Sequence, residues 1–485
     1  MGATTRFSIL LASLLFLAII SPLAATGDEL LDNGISESVS YSDSSGELPP
    51  GWTHRPIVEV FTSLSCPPCM ANSEPQVIAM QKMLEEDPSA PFTVVTFHQT
   101  NGGAGDDPTS NQEAKDRYNH YSPVGTPDGE IDGGYIQSQE LYSSIEEAAQ
   151  RDVRPTSLHV FQAFSGDGTF TITANLTYLG DDWSPDPTDP TGSFNDLVDG
   201  DVLNYELHLF IIEHDVFAYS SEEGHEVVTP MVFRGNAGSP STGSLQADES
   251  ITIKADWAIP TEIEHPSSHA TPGVHPMDPM VIPGNIEVVA VVYDTDDEAK
   301  SSSPNPKQGL PRAINSATPK STAYDLENTL PDVVDIKEVS DSGDANIKVF
   351  FDDEDGIGTA HIFYNFVSEN HTSSEWMSKE MTVSGSEICD DEGVCYAYGD
   401  AVGDAAIEVP EGLPLFYQVA FVDGQNNYNQ STVMAFAGGE PIVAVDEGGI
   451  SLLVWSTMIF IALLSISGFT IWARQPYAGS YFDTL

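Results

Sequence analysis

The spacing of apolar residues changes character along the chain. Between Gly51 and about Arg154, short apolar runs alternate with segments of helical period. Ile57 to Phe61 and Phe92 to His98 read as strands, and Pro68 to Leu84, Ser110 to Tyr121 and Leu141 to Arg151 read as helices. Strand and helix in alternation predict an α/β domain around a central sheet over residues 51–154. From about Pro155 the period shortens to two. Leu158 to Phe164, Phe170 to Tyr178, Leu203 to Glu213, Ile251 to Trp257 and Ile286 to Tyr293 read as half-buried strands joined by Gly, Pro and Asp turns. That pattern predicts a β-sandwich over 155–300. Residues 301–325 open with a Ser/Pro/Lys stretch and read as a linker. Strands resume at Ile347 to Phe351, Thr359 to Phe366, Lys379 to Val383, Val394 to Tyr398 and Leu415 to Val422, which suits an immunoglobulin- or fibronectin-like module over 326–440.

The two ends differ from this globular middle. Residues 1–25 carry Arg6, an apolar core from Ile9 to Ile20 and small residues at Ala24 and Ala25, the pattern of a secretory signal. Residues 26–50, rich in Ser, Asp and Glu, read as a flexible acidic spacer. Residues 450–473 contain no charged side chain, which is long enough to span a bilayer core of about 30 Å at about 1.5 Å per residue. Arg474 follows the stretch, whereas Asp446 and Glu447 precede it, and Trp455 and Trp472 stand near its ends. The expectation is a single-pass cell-membrane protein with a C-terminal transmembrane helix, a large extracytoplasmic N-terminal part and a short cytoplasmic tail over 474–485.

Charge narrows the partners. Lys and Arg number 17 against 74 Asp and Glu, a formal net charge of −57. Such a surface repels itself in dilute solution and is tolerated where salt screens it. Nucleic acid and anionic lipid headgroups are disfavoured as ligands, because both require a basic patch.

The four cysteines form two local pairs. Cys66-Pro67-Pro68-Cys69 follows a strand and opens a helix. Backbone N–H groups and the helix dipole there stabilise a thiolate on Cys66, which can attack a disulfide while Cys69, one turn on, resolves the mixed disulfide. Half of a zinc site and a purely structural disulfide are the competing readings. Cys389 and Cys395 flank an acidic turn and read as a hairpin structural disulfide, with a second redox or metal site as the alternative. A proline held cis beside the redox pair completes such a site. Pro127, after Thr126 in "YSPVGTPDGEIDGG", is the candidate, with Pro123 competing. Pro lacks an N–H, so the residue before it would offer its own backbone groups to an extended cysteine peptide. Thr126, Pro67 and Pro68 are the expected substrate contacts.

The stretch "VEVFTSLSCPPCMANSEP" resembles the thioredoxin superfamily, and more closely the outer-membrane-protein-28-related family, whose members have a Glu-x-Phe-Thr run before a cysteine motif. Here those positions are Glu59, Phe61 and Thr62. The resemblance extends more weakly to about residue 300 through "LHLFIIEHDV" with Glu213 and "TPMVFRGNAG" with Arg234. It implies a thioredoxin-like domain followed by a β-rich domain, and no settled substrate. Ser65 stands where thioredoxins usually carry Trp, and Pro67-Pro68 replaces Gly-Pro. Glu59 is a candidate acceptor for the Cys69 proton, or else a strand carboxylate that is merely hydrogen-bonded or exposed. His98 is a candidate proton shuttle or a satisfied structural histidine.

Other clusters carry weaker chemistry. His265, His269 and His275 with Met277 and Met280 could hold copper but lie in an irregular Pro-rich loop. Asp294, Asp296 and Asp297, and the run from Asp352 to Asp355, lack the spacing of a twelve-residue calcium loop. Asn175, Asn370 and Asn429 stand in glycosylation tripeptides. No cofactor or metal is called for. The favoured reading is a membrane-anchored thiol–disulfide oxidoreductase with Cys66, Cys69, Pro127 and Glu59 in its site. Its partners would be cysteine-bearing secreted or surface proteins and a separate redox protein that recycles the pair. The alternative is a surface binding or envelope-structural protein that uses the same fold as scaffold.

Overall fold

The computed structural model describes residues 48–442 apart from 88, 101–105, 166–167, 181–201, 278, 298–308, 327, 342–343, 354–355, 367–375, 390–394, 411–412 and 438–439. The expected secretory signal, most of the spacer, the apolar stretch 450–473 and the tail lie outside the described residues.

The chain divides into two compact units. The first begins with strand β1 (Ile57–Thr62), helix α1 (Glu74–Glu86), β2 (Thr93–His98), α2 (Gln112–Tyr121), β3 (Asp128–Ile131), β4 (Ile136–Ser138) and α3 (Leu141–Ala149). It continues with β5 (Thr156–Phe164) and β6 (Thr169–Tyr178), of which residues 162–164 and 169–171 group with the second unit, and with β7 (Val202–Glu213), β8 (Val216–Ser220), β9 (His225–Thr229), β10 (Val232–Asn236) and β11 (Ser241–Gln246). It closes with β12 (Ser250–Ala258), β13 (Glu262–His265), β14 (Gly273–Pro276), β15 (Ile286–Asp294), β16 (Arg312–Ala317) and α4 (Pro319–Asp325).

Nine of these strands make one mixed sheet in the order β16-β15-β7-β10-β2-β1-β3-β4, with β11 also paired to β7. β1 is parallel to β2 and antiparallel to β3, and β10 runs parallel to β2 through Val232 and Thr96. β1, β2 and β15 are buried at every position, as continuous apolar runs in a sheet covered on both faces should be. Aromatic rings bind the sheet across its middle. Phe97 of β2 lies 5.4 Å from Phe61 of β1, 4.7 Å from Phe233 of β10 and 5.7 Å from Phe210 of β7.

The second unit gathers residues 162–171, 282–285 and those from 329 onward. It is built on a ten-stranded sheet, antiparallel among the described residues, around Ile347, Val349, Ile362, Tyr417, Val419 and Phe421.

Three expectations are corrected. The expected fold class was an α/β thioredoxin-like domain, then a β-sandwich and an immunoglobulin/fibronectin-like domain, with one C-terminal transmembrane helix. The described residues are instead mostly strand with four α-helices, and β1 and β2 belong to a sheet completed by strands from residues 202–317. The reason is physical: β2 is buried on both faces, and its outer edge needs a partner that β10 supplies. The expected single-pass localisation in the cell membrane is corrected too. Among the described residues no helix is long and apolar enough to cross a membrane, which stands against the expected anchor; the stretch 450–473 lies outside them. Residues 312–325, expected as linker, form edge strand β16 and helix α4.

A fragment limited to residues 51–154 would leave β2 without its outer partner and Phe97 without Phe210 and Phe233. We expect it to show no cooperative denaturant transition by circular dichroism, and Phe97→Ala in the full chain to cost about 3–5 kcal/mol. A cooperatively folding fragment would contradict this dependence.

Candidate functional site

The loop after β1 is pinned from several sides. The Leu64 N–H donates to Asp107 Oδ2 at 2.7 Å, the Cys66 N–H donates to Ser63 O at 3.2 Å, and the Ser63 and Ser65 hydroxyls meet at 2.9 Å. Pro67 and Pro68 come next, at positions where a helix start needs no N–H, and both are exposed. Cys69–Ser73 forms a π-helical turn that leads into α1. Cys66 and Cys69 are disulfide-bonded with Cα atoms 5.2 Å apart, and Cys66 is 4 % exposed while Cys69 is fully buried.

The second wall comes from the loop between α2 and β3. Asn111 caps α2 by accepting from the Ala114 N–H at 2.7 Å, and the helix ends at Ser122 in the left-handed region. The Thr126–Pro127 peptide is cis, and Thr126 O lies 3.8 Å from Cys66 Sγ. Pro127 is buried and its carbonyl accepts from Gln139 Nε2 at 2.9 Å, whereas Val124 is 96 % exposed. The structure therefore brings Cys66, Cys69, Thr126 and Pro127 together, with Pro67 and Pro68 at the rim.

Glu59 lies elsewhere. Side chains alternate along β1, and Thr62 contacts Ser73 of the cysteine turn at 2.9 Å, so Glu59 and Phe61 face the opposite side of the sheet. There Arg117 holds Glu59 through Nε to Oε2 at 2.6 Å and a second terminal nitrogen to Oε1 at 2.8 Å. The Tyr121 hydroxyl at 2.5 Å and the Tyr293 hydroxyl at 3.0 Å also donate to Glu59 Oε1. Burial pushes the Glu59 carboxyl up, but the Arg117 charge and these hydrogen bonds outweigh it and hold the group below its ordinary 4.5. It stays ionised, facing away from the disulfide.

The cysteine side of the sheet holds a different polar group. His98, at the end of β2, meets Asp107 Oδ2 through Nδ1 at 2.9 Å and Thr229 Oγ1 through Nε2 at 3.3 Å. Burial pushes the imidazole down, but Asp107, and then Glu74, carry it above its ordinary 6.5. Burial pushes Asp107 up, yet His98, Thr109 and the Leu64 N–H hold it below 3.8. Glu74, the residue after the π turn, is raised above 4.5 by burial, partly offset by His98 and Thr229. Arg117, Asp107, Glu74 and Thr229 escaped the sequence reading. Only Glu74, five residues after Cys69, left a local signal.

Glu213 and Arg234 form a buried pair at 2.6 Å between β7 and β10. Asp294 pairs with Arg154 at 2.6 Å and is pushed up to about 6 by burial, and Asp297 pairs with Arg151, so arginines neutralise this acidic cluster. The His265 and His269 rings stack 3.9 Å apart at 4°, and parallel rings do not aim lone pairs at one ion. His269 Nδ1 also accepts the Thr271 N–H, which leaves the ring proton on Nε2. Among the described residues no group of His, Cys, Asp and Glu is arranged to hold a metal. The backbones of Cys389 and Cys395 stand directly opposite each other in an antiparallel pair; the turn between them lies outside the described residues.

No protein-family model matches the chain, and no curated protein matches it. Solved structures with some likeness include a carbohydrate-binding module family 56 β-1,3-glucan binding domain, at 9% identity and a TM-score of 0.14, covering 22% of this chain and 99% of that one. Another is the purple acid phosphatase PPD1 from yellow lupin (Lupinus luteus) seeds, at 6% identity and a TM-score of 0.16, covering 59% of this chain and 41% of that one. A third is Salmonella α-2-macroglobulin reacted with methylamine, at 11% identity and a TM-score of 0.14, covering 60% and 17%. The chain thus spans less than half the length of the latter two. At such scores the likeness assigns neither fold nor activity.

Arg117→Met would leave Glu59 buried without its counter-charge, and we expect a loss of about 3–5 kcal/mol in denaturant unfolding. In the wild type, Glu59 contributes stability above its unfolded value of 4.5 that is lost as pH falls through its lower folded value. In the variant the sign reverses, so stability falls as pH rises through the carboxyl's new, higher value. Unchanged stability and acid sensitivity would show that the pair matters little.

Proposed function

We propose that this chain is a thiol–disulfide oxidoreductase acting on cysteines of other proteins. The observation that carries the reading is the Cys66–Cys69 disulfide at a helix start with Thr126 O, just before cis Pro127, 3.8 Å from Cys66 Sγ. Cys66 retains some exposure and Cys69 none, so Cys66 is the sulfur that exchanges and Cys69 the one that resolves. Pro67, Pro68 and Val124 offer exposed apolar surface on the segments that flank the disulfide, and Thr126 lies where a client cysteine would arrive. The helix start favours a thiolate on Cys66 once the pair is reduced. The sulfur pair itself stores the two electrons, so the reaction requires no bound cofactor. Recycling falls to a separate redox protein.

Equilibration of the full chain in graded dithiol buffers, with free thiols counted by alkylation, tests this. We expect the Cys66–Cys69 pair to cycle in one two-electron transition, and Cys66→Ser to abolish turnover of insulin disulfides. A pair that does not cycle, or unchanged turnover in Cys66→Ser, would sink the reading.

A further inference from the structure

We propose that Glu74 donates the proton that Cys69 takes up when the Cys66–Cys69 disulfide opens, a role that rests on the redox reading above. In the π-helical turn the Glu74 N–H reaches back five residues to the Cys69 carbonyl. This wide turn returns the Glu74 backbone to the Cys69 carbonyl, so the two residues lie closer around the axis than in an α-helix, and Cys69, Ser73 and Glu74 are all buried. In a regular α-helix a residue five positions on would point well round the axis from the first. Ser73 fixes the turn further, donating to Cys69 O at 3.1 Å and meeting Thr62 at 2.9 Å.

Glu74 is 3 % exposed, and neither carboxyl oxygen completes a hydrogen bond of ordinary geometry. A carboxylate so placed is costly, so the group carries a proton while the disulfide is closed. His98 from β2, Asp107 from the segment after it and Thr229 from β9 bear on it, with Arg234 of β10 acting on His98. His98 and Asp107 are locked to each other, and His98 also to Thr229. Both His98 ring nitrogens are engaged in these contacts, so the Glu74 carboxyl is the group assigned the transfer. Its charge after transfer is met by His98, whose attraction favours the ionised carboxyl.

The step balances. A client thiolate attacks Cys66 Sγ, forming the client–Cys66 disulfide and breaking the Cys66–Cys69 bond. The departing electron pair on Cys69 Sγ takes the Glu74 proton, leaving a Cys69 thiol and a Glu74 carboxylate. One client sulfur and Cys66 share the new bond, Cys69 is reduced, and the single negative charge moves from client to Glu74. In reverse, the Glu74 carboxylate accepts the Cys69 proton as Cys69 attacks the mixed disulfide.

Reduction of the full-length protein by dithiothreitol, quenched by alkylation and followed by mass from about pH 5 to about pH 9, reads this role. We expect Glu74→Gln to slow reduction about 100-fold near neutral pH and to leave only the pH dependence of the attacking thiolate. Glu74→Asp should restore a carboxyl-dependent limb. In the wild type, infrared difference spectra should show a protonated-carboxyl band that diminishes on reduction, a readout that needs no variant to fold. Wild-type rates and profile in Glu74→Gln, or a carboxyl band unchanged by reduction, would overturn the proposal. Either result obtained with a wild-type pair that still cycles leaves the redox reading intact, whereas a wild-type pair that does not cycle defeats that reading first.

Discussion

β2 can be buried on both faces only because β10 pairs with its outer edge, and the candidate site depends on that pairing. Phe97 packs on Phe61 to one side and on Phe233 and Phe210 to the other, so a single aromatic row joins the first strands of the chain to strands that follow more than a hundred residues later. The same closure delivers side chains to the cysteine side of the sheet. β9 and β10 bring Thr229 against His98 and set Arg234 close enough to act on its charge. His98 holds Asp107, and Asp107 holds the Leu64 N–H at the base of the loop that carries Cys66. The geometry at the disulfide is thus fixed by a strand remote in sequence.

Charge is arranged just as economically. A chain with 17 basic side chains against 74 acidic ones places several of its arginines inside the first unit. Arg117 meets Glu59, Arg234 meets Glu213, and Arg154 meets Asp294. Each pair sets a guanidinium against a carboxylate within the fold or at its margin, which offsets part of the cost of burying the charge. Glu74 is the exception on the cysteine side: no arginine pairs with it, and neither carboxyl oxygen completes a hydrogen bond of ordinary geometry.

Local signals were legible in the sequence and remote ones were not. The apolar runs from Ile57 and from Phe92 became β1 and β2, and Cys66 and Cys69 closed a ring of near neighbours. Thr126–Pro127 is marked in the sequence by its place between a helix and a Gly-bounded turn. The shared sheet was hidden because pairing of Thr96 with Val232 leaves no periodic trace, so residues 51–154 and 155–300 read as separate domains. Glu59 was drawn toward Cys69 because strand position says nothing about which face a later helix will cover. Its partners Arg117, Tyr121 and Tyr293 come from α2 and β15. The π-helical turn, in which the Glu74 N–H returns to the Cys69 carbonyl, also leaves no trace in helical periodicity.

In the proposed redox reaction Cys66 is the exchanging sulfur and Cys69 the resolving one. Full-length Cys69→Ser, reduced and then mixed with a disulfide-bearing client peptide, tests it most directly by intact mass and peptide mapping. A stable adduct on Cys66 that dithiothreitol releases is the expected result. No adduct, or equal adducts on Cys66 in Cys69→Ser and on Cys69 in Cys66→Ser, would contradict it.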